Sequence, residues 1–111
     1  MVKLSGGPGT DGLSTARFTG AYPWVGERDF EVFGQRGTHN ARPALMCPQF
    51  PDALRAGLPL SAQVEAVTSC RNALEAVGVN LAAYNSAESA RDIEDLRLAL
   101  GADRLILYGG S

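Results

Sequence analysis

The sequence is poor in metal-binding side chains, in net charge and in long apolar runs. It has 2 cysteines, 1 histidine and a formal net charge of −2 over 111 residues. So few potential ligands predict no metal site, and no motif predicts a cofactor. The near-neutral charge offers no basic patch for nucleic acid, and no stretch approaches the roughly 18 apolar residues of a membrane helix. What is there, 45% hydrophobic and 20% charged residues, is typical of a globular chain within the size of one domain.

Three short apolar segments predict β-strands. They are residues 2–4, 30–33 and 104–108. The third has an unbroken apolar centre, which is typical of a strand covered on both faces.

Three segments between these strands predict helices. They are residues 13–22, 61–77 and 85–100. The last is the clearest, because Asn85 and Glu88 have capping-box spacing and apolar residues then recur at helical intervals. Residues 38–60 contain four prolines and predict an irregular excursion. Strands that alternate with helices predict an α/β fold with a parallel sheet.

Glycine is abundant, and two glycine motifs follow predicted strands. Gly6-Gly7-Pro8-Gly9 comes after the first strand, and Tyr108-Gly109-Gly110-Ser111 ends the third. The second motif has the form of the first half of a nucleophile elbow, G-x-S-x-G, in which a strand ends in a sharp turn that presents a serine hydroxyl. An ordinary turn is the alternative for the first motif, and a flexible linker is the alternative for the second.

Three blocks together resemble the α/β-hydrolase fold, and more narrowly the tripeptidyl aminopeptidase-like and prolyl aminopeptidase-like serine hydrolases. Residues 4–9 are similar to the G-G-P-G oxyanion loop of that group. Gly34-Gln35-Arg36-Gly37-Thr38 is similar to its D-Q-R-G-T turn, with Gly34 where Asp is usual. The third block, from Asn80 to Ser111, is similar to the tripeptidyl aminopeptidase pattern in order and spacing. The resemblance implies that residues 1–111 form a partial α/β-hydrolase catalytic domain.

The resemblance implies a serine hydrolase that acts through an acyl-enzyme. Ser111 is the implied nucleophile. The implied oxyanion donor is the backbone amide of Gly7, with Gly9 as second choice, because Pro8 has no N–H. In this group the catalytic Asp and His follow the serine, so we expect another chain or segment to supply them and the chain alone to be inactive. His39 precedes the serine, and we expect it to be a surface residue.

The implied reaction is that of an aminopeptidase of tripeptidyl or prolyl type, which cleaves N-terminal residues from peptides. A carboxylesterase or amidase of the same fold stays open, because fold does not set the substrate. A non-catalytic assembly or binding fragment is a further alternative. Arg36 could contact substrate, although a structural anchor for its turn is the favoured interpretation.

The same group places cysteines in the segments that hold Cys47 and Cys70. The resemblance implies a disulfide between them, and therefore secretion or a cell-envelope location. Two separate buried thiols are the alternative, which leaves a cytoplasmic protein, and spacing alone does not decide between them.

The strand order of the fold also implies a partner. By analogy, the first strand lies in the middle of three, which leaves both outer strands with an unpaired edge. We therefore expect the fold to be incomplete until the remainder of the hydrolase, as another chain or segment, completes the sheet.

Overall fold

Three strands and three α-helices form the fold in the part of the chain that the structure describes. A computed structural model of the chain describes residues 1–7 and 9–110, without the side chains of Thr19 and Trp24. The strands are β1 (Val2–Ser5), β2 (Glu31–Val32) and β3 (Leu107–Gly110). The α-helices are α1 (Gln49–Arg55), α2 (Leu60–Ala76) and α3 (Ser86–Ala99), and 3₁₀ segments cover Gly12–Ala21, Pro23–Glu27 and Leu81–Ala83. Within the described ranges, no helix has both the length and the apolarity to cross a membrane.

The sheet is parallel, with β1 between β2 and β3. Lys3 of β1 lies opposite Val32 on one side and opposite Tyr108 on the other. Val2, at the start of β1, is fully buried, as expected for the central strand. The predictions of a parallel three-stranded sheet and of a central first strand are both confirmed.

The third strand differs from its prediction at both ends. It begins at Leu107 instead of residue 104, and it continues through Gly109 and Gly110, which lie opposite Leu4 and Ser5 of β1. Pairing with β1 keeps these two glycines extended, so the predicted end of the strand at Tyr108 is wrong, as is the flexible-linker alternative for Gly109 and Gly110. The prediction that both faces are covered is also wrong, because Leu107 keeps 51% of its surface exposed.

The two long helices lie within one residue of their predicted bounds, at Leu60–Ala76 and Ser86–Ala99. Asn85 caps α3 as predicted, because its side-chain oxygen accepts a hydrogen bond from the Glu88 amide at 3.0 Å. The helix predicted at residues 13–22 is a 3₁₀ segment with a kink at Phe18.

The proline-rich excursion contains a short helix that the sequence did not predict. Pro48 precedes α1 and Pro51 lies in its first turn, where helix amides have no intrahelical acceptor and a missing N–H costs nothing. The helix packs against α2. A disulfide joins Cys47, shortly before α1, to Cys70 of α2, and the two Cα atoms are 5.7 Å apart. The predicted pairing is therefore present. In the chain-entropy model, closing the loop between these two cysteines adds about 3 kcal/mol to the free energy of unfolding.

The chain exposes more surface than a compact protein of its mass. Its accessible area is 7609 Å², against roughly 5,900 Å² expected for a compact monomer of 11.7 kDa. The radius of gyration is 16.9 Å, against about 13 Å for a compact domain of this length. Among the side chains that the structure describes, the buried apolar ones are those of Val2, Ala53 and Cys70. The apolar core is therefore small.

Gly37 lies in a tight turn that only glycine fits. Its φ is +77°, and its carbonyl oxygen accepts a hydrogen bond from the Leu45 amide at 2.8 Å. A Cβ placed there would lie 3.1 Å from Leu45 Cγ and 3.1 Å from Tyr84 Cδ1. Backbone conformation and packing therefore both exclude a side chain at this position.

We predict that Gly37→Ala lowers the free energy of unfolding by about 2–3 kcal/mol, as the sum of the positive-φ penalty and the clash with Leu45 and Tyr84. Gly78→Ala is the matched control, because Gly78 has a φ of +84° and open space around its Cβ position. This control is expected to cost about 1 kcal/mol. Equal losses for the two variants in denaturant unfolding would contradict the packing part of the account.

Candidate functional site

The carboxyl ends of β1 and β3 lie side by side at one edge of the sheet. Ser5, the last residue of β1, is opposite Gly110, the last residue of β3. The glycine loop, residues 6–10, leaves the sheet directly after Ser5. Parallel strands run in the same direction, so their carboxyl ends lie at the same edge of the sheet. Such edges hold the ligand sites of many α/β proteins.

The glycine loop has a backbone that side chains disfavour. Gly7 has a φ of +59° and Gly9 a φ of +95°. The amide and the hydroxyl of Thr10 both donate to the Gly7 carbonyl oxygen, at 3.1 and 2.9 Å, which closes the turn. The positive φ values explain why glycine occupies both positions.

Gly7 and Gly9 carry backbone amides that lie beside a cavity. Both residues are exposed, and neither amide donates a hydrogen bond to any residue in the described part of the chain. A cavity of about 270 Å³ adjoins them. Its lining includes Ser5, Gln35 and Ser89. Unengaged backbone N–H groups beside a cavity have the chemistry of an anion or oxyanion site.

Ser111 and Pro8 lie outside the described residues. The described residue next to Ser111 is Gly110, which is held opposite Ser5 in the sheet. His39 is exposed, as predicted, in the turn that follows residues 34–38. Among the described residues, no group of three or more His, Cys, Asp and Glu side chains could hold a metal ion.

Arg36 anchors its turn to α3. Its Nε donates to Asp92 Oδ2 at 2.7 Å and its Nη2 to Asp92 Oδ1 at 2.6 Å, a two-bond fork. Its Nη1 donates to the Ala83 carbonyl oxygen at 2.5 Å, and the same nitrogen lies 3.9 Å from Glu88 Oε2. The hydrogen bond to Asp92 raises the pKa of Arg36, whose guanidinium is charged in the neutral range in any case. These contacts fit the interpretation of Arg36 as a turn anchor.

Gln35 makes a contact that the sequence did not predict. Its side-chain Oε1 accepts a hydrogen bond from the Ser5 amide at 3.0 Å, 30 residues away in sequence. Its carbonyl oxygen accepts from the amide and the hydroxyl of Thr38, at 3.1 and 2.7 Å, and Thr38 is buried. The resemblance of residues 34–38 to a known turn included Gln35 without a role for it. The contact itself is non-local and has no sequence periodicity.

Comparison with protein-family models, with curated proteins and with solved structures finds no match to this chain.

We predict that Arg36→Lys lowers the melting temperature, because a lysine ammonium cannot make the two parallel bonds to Asp92. Arg55→Lys is the matched control. Arg55 also pairs with an aspartate, Asp52, but both side chains are mostly exposed, at 73% and 65%. Such exposed pairs contribute little, so this control should change the melting temperature by less than about 4 °C. Thermal unfolding in which both variants behave alike would contradict the anchoring role of Arg36.

Proposed function

We propose that this chain is part of a serine hydrolase in which Ser111 is the nucleophile and the Gly7 amide binds the oxyanion, with Gly9 as the second choice. The observation that carries the proposal is the pairing of Ser5 with Gly110. This pairing brings the residue before the proposed nucleophile next to the residue before the glycine loop. A nucleophile and an oxyanion donor must act on the same carbonyl group, so they have to lie close together.

The proposed chemistry follows from these positions. The Ser111 hydroxyl oxygen attacks the carbonyl carbon of the substrate, and its proton passes to a histidine. The negative oxygen that forms accepts a hydrogen bond from the Gly7 amide, which has no acceptor among the described residues. The leaving amine or alcohol takes the proton from the histidine, and water then hydrolyses the acyl-enzyme.

In this proposal, residues 1–111 form a partial catalytic domain. Another chain or segment supplies the histidine and its aspartate and completes the sheet. The high accessible area, 7609 Å², and the exposed third strand support this part of the proposal, because both are typical of a core that further structure covers.

A peptide is the proposed substrate, because the strongest sequence resemblance is to tripeptidyl aminopeptidases. A carboxylesterase or amidase is the alternative within the same fold, and the two are separated by a panel of tripeptidyl, prolyl and simple ester substrates. The disulfide between Cys47 and Cys70 supports secretion or a cell-envelope location, since such bonds persist in oxidising compartments.

A non-catalytic assembly fragment is the second candidate function. The observation that favours it is the apolar surface at the start of the third strand, where Leu107 and the preceding Ile106 are 51% and 50% exposed. A strand of this kind can bind a partner chain with no chemistry at Ser111.

We predict that a fluorophosphonate probe labels Ser111 in the full gene product, since such probes phosphonylate activated serines. Ser111→Ala should abolish the label. Ser89→Ala is the matched control and should leave labelling unchanged, because Ser89 also lines the glycine-loop cavity but its hydroxyl donates to the Asn85 carbonyl oxygen.

The 111-residue chain alone should not react, because in this proposal the histidine that activates the serine comes from another chain or segment. Absence of labelling in the full gene product, or labelling that survives Ser111→Ala, would refute the proposed enzyme. The first of these outcomes would favour the assembly fragment.

A further inference from the structure

At its carboxyl end, the central strand β1 pairs with a neighbouring strand on one side only. On one side, β3 pairs with β1 as far as Ser5. On the other side, pairing with β2 stops at Lys3, which lies opposite Val32. Leu4 and Ser5 therefore extend beyond the second strand, directly before the glycine loop. Backbone amides at such a position need another acceptor, or the strand frays at its end.

The Gln35 side chain supplies the acceptor that the second strand does not. Its Oε1 lies 3.0 Å from the Ser5 amide, and both residues are partly buried. The orientation of the side-chain amide is fixed by this contact, because a backbone N–H can donate only to the oxygen and not to the NH₂ group.

Gln35 is itself held in place by the residues that follow it. Its carbonyl oxygen accepts two bonds from the buried Thr38, and its neighbour Arg36 is forked to Asp92 of α3. A series of hydrogen bonds thus runs from the third helix through residues 35–38 to Ser5. The glycine loop begins one residue later, and Gln35 also lines the cavity beside Gly7 and Gly9.

We propose that Gln35 is a positioning residue for the glycine loop. Its side chain holds Ser5 in place and thereby sets the direction in which the Gly7 and Gly9 amides point. This inference deepens the proposed hydrolase function and rests on it for its catalytic meaning. The positioning itself is a property of the fold and can be measured without any reaction.

The test uses the full gene product with ¹⁵N-labelled glycine and serine. Gln35→Met keeps the length of the side chain and removes its hydrogen-bond acceptor. We expect exchange of the Ser5 amide with solvent to become roughly tenfold faster, as for the loss of one hydrogen bond, and the amide signals of Gly7 and Gly9 to move. Gln35→Glu retains an acceptor and should restore slow exchange at Ser5.

Gly78→Ala provides the control for general destabilisation, because Gly78 lies at the end of α2, outside the glycine loop and its cavity. It should leave the Gly7 and Gly9 signals in place. Unchanged signals in Gln35→Met, or changes of equal size in Gly78→Ala, would overturn the inference. These readouts do not involve Ser111, so they decide the role of Gln35 even if no probe labels the serine.

A second readout addresses the catalytic meaning. In a protein that labels at Ser111, Gln35→Met should slow labelling by roughly tenfold or more, because a displaced oxyanion donor no longer stabilises the transition state. A labelling rate unchanged by Gln35→Met, with the Gly7 signal displaced, would overturn this catalytic part and leave the positioning of the loop intact.

Discussion

Parallel pairing of the first strand with both of its neighbours is the constraint on which the rest of the structure depends. Because Val2–Ser5 runs in the same direction as the second and third strands, the carboxyl ends of all three lie at one edge of the sheet. The glycine loop, the turn at residues 34–38 and Gly110 meet there for that reason. If the third strand ran in the opposite direction, Gly110 would lie at the other end of the first strand, away from the glycine loop.

Two side chains connect the segments at this edge by hydrogen bonds. Arg36 ties the turn to the third helix through two hydrogen bonds to Asp92. Gln35 ties the same turn to Ser5, where the second strand no longer reaches. Ser5, which directly precedes the glycine loop, is therefore held by a hydrogen bond, although the chain buries little apolar surface elsewhere. A site of this kind needs such support, because backbone donors act only when they are held in place.

Local signals in the sequence were sufficient for the two long helices, but not for the short helix Gln49–Arg55 or for the ends of the strands. Asn85 and Glu88 marked the start of the third helix, because capping is a contact between near neighbours. The third strand ends two residues later than predicted, since pairing with β1, about 100 residues away, keeps Gly109 and Gly110 extended. The disulfide and the central first strand were predicted from a family resemblance. The role of Gln35 was not predicted, because nothing local distinguishes a glutamine whose partner lies 30 residues earlier.

The central claim is that Gly110 lies beside the entrance of the glycine loop, and the register of the first and third strands tests it most directly. Interstrand nuclear Overhauser effects between backbone protons report that register, because adjacent strands lie only about 4.8 Å apart. The account predicts contacts for the pairs Leu4–Gly109 and Ser5–Gly110. A third strand shifted along the first by two residues, or unpaired at its two glycines, would contradict it.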